Sequence, residues 1–319
     1  MVEIVKKLQS LTDALKYSYV GFGSIFFSDF IHFHRNLGIK KMTSIEDEKD
    51  PLIQKRFEFN KPYKAIEMRF GLSTDILSSL EWDQPVFLWL DYDGKFDATV
   101  LADIKIFCQR APSGSLFAVS FNAKFSDNID SPHASPFEID AYNAISIRGS
   151  DEIPKDQREI LASRIGARYV PVDITESDLG GTKFTKLCRR IINTVIKDEF
   201  SIRNANLEEV KKLKYKQIFN FIYQDGAKMQ TIGGIVCNTD DSAQLEKCDL
   251  ESLPYVMQEE KSYEIRVPIM TLREIRYWET QLPIDSLDDA ARKGIPGNSL
   301  KELEKIYRFF PHFTEAELA

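Results

Sequence analysis

The stretch Pro85-Val86-Phe87-Leu88-Trp89-Leu90, followed at once by Asp91-Tyr92-Asp93-Gly94, decides the fold of this chain. Its apolar run is unbroken, so neither side of the strand it predicts can face water. Such a strand belongs in a parallel sheet with helices on both faces. Downstream, a helix is predicted to about Arg110, then a turn at Pro112-Ser113-Gly114 and a second buried strand, Ser115–Phe121. Upstream, Lys64–Phe70 reads as a strand stopped by Gly71, with a short helix over Leu72–Leu80. Lys41–Glu46 (KMTSIE) is another strand, ending in acid. Tyr17–Val20 is a short β-type run that turns through Gly21-Phe22-Gly23-Ser24 into a helix over Ile25–Asn36. Apolar residues from Val2 to Leu15 recur at helical spacing and predict an amphipathic opening helix. Strands alternating with helices in this way form βαβ units with right-handed crossovers.

After Ala123 the rhythm breaks. A polar loop with Pro132 and Pro136 is expected, then a helix near Lys155–Ile165, a short run Arg168–Val172 and a strong helix over Lys183–Lys197. Lys214–Tyr223 and Lys228–Cys237 flank Asp225-Gly226, and Asp-Gly between two β-rich runs predicts a hairpin. Tyr263–Ile269 reads as a strand. Thr271 with Glu274 fits a capping box that opens a helix to about Leu282. A last helix is predicted from about Ser299 to Phe309.

The chain has 319 residues, 43% of them hydrophobic, which suffices for one large core with an appendage or for two small domains. A net charge of −7 argues against general affinity for nucleic-acid backbones but leaves a local basic groove open. The run Lys211, Lys212, Lys214, Lys216 reads as a solvated face. No apolar stretch approaches the roughly 20 residues that span a bilayer, and no signal-peptide core follows the charged N-terminus. Cys108, Cys188, Cys237 and Cys248 form no C-x-x-C pair, and the first three sit in apolar patterns as reduced core residues. A cytoplasmic location is expected.

Three features stand in the order a doubly wound nucleotide fold requires. Gly21 and Gly23 end the first strand where the following helix presents free N–H groups; a turn needing positive φ explains these glycines equally well. Glu46 ends the second strand, 23 residues beyond Gly23, where a carboxylate can accept hydrogen bonds from both ribose hydroxyls. Asp91 and Asp93 follow the buried strand at its carboxyl end, where open α/β sheets bind ligands. Asp91 is assigned to function; Asp93 suits an N-cap for the next helix.

The run GFGS, then IED, WLDYDG and SLFAVSFNA resembles the motifs of class I S-adenosylmethionine (SAM) methyltransferases, closest to bacterial proteins described as O-methyltransferases. The likeness covers residues 15–123 well and 180–237 loosely, where the Asp225-Gly226 hairpin is similar to that fold's terminal antiparallel pair. It implies an α/β fold: a Rossmann-like, mostly parallel sheet with an antiparallel terminal hairpin and a C-terminal α+β extension. The implied divisions are a SAM-binding core (1–123), an insertion or lid (124–180), completion of the sheet (181–237) and the extension (238–319). The cofactor would be SAM, held by Gly21, Phe22, Gly23, Ser24, Glu46, Gly71, Leu72 and Asp91. The sequence departs from the pattern in having Tyr19 or Val20 where an acid commonly precedes the first glycine, and no third glycine at Rossmann spacing; Asp29 or Ser24 would then compensate.

Asp91 and Asp93 are the candidate catalytic bases for a hydroxyl acceptor. The metal-dependent catechol-type enzymes use an Asp-Asn pair where this chain has Phe121-Asn122, so no metal is expected, while Asn122 remains a candidate substrate contact. The sequence Arg56-Phe57-Glu58-Phe59-Asn60-Lys61-Pro62-Tyr63 reads as a loop whose Arg56 and Asn60 contact substrate, or whose aromatics fold it onto the core. The expected function is methyl transfer to an oxygen of an unidentified small acceptor; the alternative is a non-catalytic SAM- or nucleotide-binding sensor acting on a partner. Homodimerisation or a protein partner is left open. An NAD-linked oxidoreductase is disfavoured by the missing third glycine and by the late hairpin.

Overall fold

The computed structural model describes residues 1–125, 156–284 and 286–309, so the expected loop with Pro132 and Pro136 lies outside the described residues. The chain divides into two units, Met1–Tyr263 and Glu264–Ala319.

The first unit is built on a sheet of β1 (Ser18–Gly21), β2 (Lys41–Glu46), β3 (Ile66–Phe70), β4 (Val86–Lys95), β5 (Leu116–Asn122), β6 (Lys214–Asp225) and β7 (Ala227–Cys237). Their order is β3-β2-β1-β4-β5-β7-β6. The strands β1 to β5 pair in parallel, and β7 enters antiparallel between β5 and β6. This is the mostly parallel sheet with an antiparallel hairpin that the sequence predicts.

The helices of this unit are α1 (Val2–Lys7), α2 (Ser28–Leu37), α3 (Pro51–Asn60), α4 (Ser73–Ser79), α5 (Ala98–Arg110), α6 (Gln157–Ile165), α7 (Gly181–Asn204) and α8 (Thr239–Glu246). They cover both faces of the sheet, and β4 shows why its sequence had to be apolar throughout. Val86, Leu88 and Leu90 join one core, with Val100, Ile104, Ile191 and Val195 from α5 and α7. Phe87, together with the partly buried Trp89, joins the other, with Ile4, Val5, Phe30 and Phe33 from α1 and α2. Burial of each such side chain stabilises the fold by about 1.5–3 kcal/mol relative to exposure. In α7 the buried Phe184, Leu187, Cys188, Ile191, Ile192 and Val195 repeat at helical spacing and face α5. All four cysteines are free and buried.

Several boundaries differ from the sequence reading. The opening helix stops at Lys7 and continues as two 3-10 turns, leaving Leu15 exposed. The stretch read as a loop from Arg56 is mostly helix: α3 is capped by Asp50, whose side chain accepts from the Leu52 N–H, and Pro51 takes its first turn. The strand β4 runs on through Lys95 across an irregularity, so Asp91-Tyr92-Asp93-Gly94 is strand rather than turn. The N-cap of α5 is consequently Asp97, not Asp93, and its Oδ1 accepts from the N–H groups of Thr99 and Val100. The run Arg168–Val172 contains a 3-10 turn, and Lys211 and Lys212 pair with Glu208 and Glu209. Residues 238–263 contribute Leu245, Cys248, Leu250 and Tyr255 to the core of the first unit.

The second unit carries α9 (Leu272–Glu279), α10 (Asp288–Arg292) and α11 (Gly297–Ile306) around Trp278, Ala290, Ile295, Leu300 and Leu303. The predicted capping box is present: Thr271 accepts from the Glu274 N–H, and Glu274 accepts from the Thr271 N–H. The strand at Tyr263 ends at Ile265, short of the predicted Ile269. No helix among the described residues is long and apolar enough to cross a membrane.

Candidate active site

The chain leaves β1 toward β2 on one side and returns to β4 on the other, so strand order reverses at β1 and β4. Open α/β sheets have their ligand crevice outside the carboxyl ends of the strands at that point. Gly21 lies opposite Trp89 in the β1–β4 register, which sets Asp91 beside the loop that begins at Phe22. Glu46 closes β2 on the other flank, and Gly71 is tied to it by an N–H donated to the Glu46 carbonyl at 2.9 Å. Gly21, Phe22, Gly23, Ser24, Glu46, Gly71, Leu72, Asp91, Asp93 and Asn122 thus all lie along one edge of the sheet.

The loop itself is shaped by close packing. At Gly23 a Cβ would come within 2.6 Å of both the Ser44 Oγ and the Phe27 ring, so the position has room only for hydrogen. The left-handed φ values fall not on the two glycines but on Ser24 (46°) and Phe27 (49°). Non-glycine residues held in that region cost of order 1–3 kcal/mol each and cluster at ligand sites. The Gly23 N–H donates to Ser44 Oγ at 3.1 Å, and Ser44 Oγ in turn donates to Glu46 Oε1 at 3.3 Å. Burial pushes the Glu46 carboxyl up to about 7, against the opposing pull of the Ser24 and Gly23 N–H groups and the Ser44 hydroxyl.

Asp91 is exposed at the end of the buried run of β4. Between it and the equally exposed Asp93, Tyr92 turns its hydroxyl inward to donate to the Asp103 carboxyl group on α5. Its ring meets Phe22 edge-on at 5.1 Å. Asp103 is fully buried, which raises its carboxyl to about 6. This Tyr92–Asp103 pair escaped the sequence reading; a Tyr beside a buried helix Asp carries no motif. Asn122 sits at the end of β5, its Oδ1 accepting from the Lys124 N–H at 3.0 Å, while the neighbouring Phe121 is buried in the core.

Arg56 and Asn60 lie on α3, whose Phe57 packs at 6.2 Å against Phe70 at the end of β3. They occupy the second half of α3, which runs back toward the start of β3, and Asn60 spends its amide on the Arg56 carbonyl at 2.8 Å. Tyr63, just beyond, packs at 4.1 Å and tilted by 36° on His34 near the end of α2. Among the described residues, no group of three or more His, Cys, Asp or Glu is arranged to hold a metal ion.

A 3-2-1-4-5-7-6 strand order with β7 antiparallel, and a glycine loop and strand-end acid at the switch point, define a Rossmann-like sheet of the class I methyltransferase type. A family model described as "Putative O-methyltransferase" matches residues 1–318, and the chain belongs to that family. No curated protein matches the chain. Solved structures with partial likeness include the O-methyltransferase TomG from Streptomyces achromogenes in complex with SAM, at 13% identity, 74% of this chain, 80% of that chain and a TM-score of 0.36. Another is a LepI variant in complex with S-adenosylhomocysteine (SAH) and a substrate analogue, at 10% identity, 73% of this chain and a TM-score of 0.36. The match spans 46% of the LepI chain.

Proposed function

We propose that the chain binds SAM along the carboxyl edge of β1, β2 and β4 and transfers its methyl group to a hydroxyl oxygen of a small-molecule acceptor. The observation that carries this reading is the Gly23–Ser44–Glu46 hydrogen-bond chain, which joins the glycine loop and the strand-end acid into one site. Family membership supports the same reaction class. The residues fit an adenosine thioether: Glu46 offers carboxyl oxygens to ribose hydroxyls, Gly71 and Leu72 flank the base, and the loop over Gly21–Ser24 meets the amino-acid tail.

When bound, SAM supplies a methyl group already activated on a sulfonium, so the protein's part is chiefly orientation and proton removal. Asp91 is the base in this reading: its exposed carboxylate stands beside the loop and takes the hydroxyl proton onto an Oδ atom. Asp93, two residues on along the exposed end of β4, is the second candidate, and Asn122 on the adjoining strand is a candidate acceptor contact.

The test is to replace Asp91 by Asn and to measure both SAH binding and labelled-methyl incorporation in cell extract. Binding kept within a few-fold with transfer reduced at least a hundredfold is the expected result, in line with the loss of a general base. Binding without transfer by the unaltered protein would instead favour a sensor.

A further inference from the structure

Tyr19 lies in β1 two residues before Gly21 and is fully buried. Phe30, Phe33 and Phe87 surround its ring edge-on, at 4.8, 4.9 and 5.3 Å. A phenylalanine would fill that nest as well. What tyrosine adds is one hydroxyl, and it donates to Oδ2 of Asp29 in the first turn of α2. The same hydroxyl sits against the glycine loop, since a Cβ on Gly21 would come within 2.7 Å of it. A buried phenol thus fastens a carboxyl group from α2 beneath the loop.

That places Asp29 in one neighbourhood with Glu46 and Asp91. Among the described residues, neither Asp29 nor Glu46 has an ion-pair partner. The charges that act on them are other carboxylates, Asp91 on Asp29 and Asp29 on Glu46. Burial, chiefly, holds Asp29 up at about 6. Carboxylates gathered out of water cost free energy unless a cation joins them. The methyl donor carries two cationic centres, but only its ammonium has N–H groups to give. Besides the Tyr19 hydroxyl, the N–H groups of Phe30 and of Asp29 itself bear on this carboxyl, and the lone-pair capacity of its two oxygens still leaves an acceptor site for such a charge-assisted bond.

We propose that Asp29, positioned by the Tyr19 hydroxyl, receives the α-ammonium of the donor's amino-acid tail. The inference rests on the SAM reading above and assigns to α2 the acid that β1 lacks before its first glycine. Asp29 contacts the ligand in this arrangement; Tyr19 is a positioning residue.

Two probes separate this role from a structural one. SAH carries the ammonium, whereas 5′-methylthioadenosine has the adenosine and the sulfur but no amino-acid tail. Calorimetry on the full chain should show Asp29→Asn weakening SAH about tenfold or more, as for a lost hydrogen bond to a charged group, with methylthioadenosine changed less than twofold. Tyr19→Phe, which keeps the aromatic nest, should weaken SAH by a smaller factor and leave methylthioadenosine alone. Equal losses on both probes, or none on either, would overturn the assignment of Asp29. Failure of the unaltered protein to bind either probe would overturn the SAM reading itself, and this assignment with it.

Discussion

Glu46 gives the site a pH signature at the scale of a single residue. Its carboxyl titrates near the ordinary 4.5 in the unfolded chain and about 7 in the folded one. Below 4.5 both states hold the proton and the group contributes no slope. Between 4.5 and 7 the folded state keeps a proton that the unfolded state has lost, so stability falls as pH rises; above 7 the penalty is constant. Asp29 and Asp103, also raised, act in the same direction. Urea midpoints measured at pH 5, 6 and 7 should therefore decline, and Glu46→Gln should make that decline shallower. An unchanged slope in the variant would show that the Glu46 carboxyl is not held protonated. Gly21, Gly23 and Glu46 are legible as candidates because each ends or follows a strand at motif spacing, and Asp91 because it follows the buried run within β4. The Tyr19–Asp29 contact was not, because it depends on how α2 is rotated against β1, and no spacing rule encodes that. The choice of glycine at position 23 also has a different origin from the one a turn motif suggests: it answers to Ser44 and Phe27, not to a left-handed φ.

Elements end where the local chemistry dictates, and two of them depart from their sequence pattern for physical reasons. The second half of α3 reads as a loop from its mixture of aromatic, basic and amide residues, although Asp50-Pro51 spells a cap followed by a first-turn proline. From sequence β4 ends at Leu90, because Asp-Tyr-Asp-Gly has turn composition. Pairing with β5 carries it to Lys95 and hands the helix cap to Asp97. Asp97→Ala should accordingly cost about 1 kcal/mol in urea denaturation, whereas Asp93→Ala should leave stability within error. A reversal of that order would restore Asp93 as the cap. The hairpin of β6 and β7 was readable from Asp225-Gly226 alone, since few other sequences turn so tightly between two β-rich runs.

For the molecule as a whole, the sheet, its direction changes and the family were all foreshadowed by motif order, while the division after Tyr263 had no composition shift to announce it. A ligand that binds only the folded state stabilises it by mass action. SAH at about a hundred times its dissociation constant should add about 2.7 kcal/mol, visible as a rise in melting temperature, and NAD should add nothing. A rise with NAD and none with SAH would reassign the crevice. The seating of β7 between β5 and β6 has a further consequence for how the protein is made. While the ribosome is still upstream of residue 227, the buried strand β5 has an open hydrogen-bonding edge and β6 has no neighbour to join it to the sheet. Premature termination before residue 237 should therefore yield chains that stick to one another through that edge, and folding of the complete chain must wait for its late, long-range pairing.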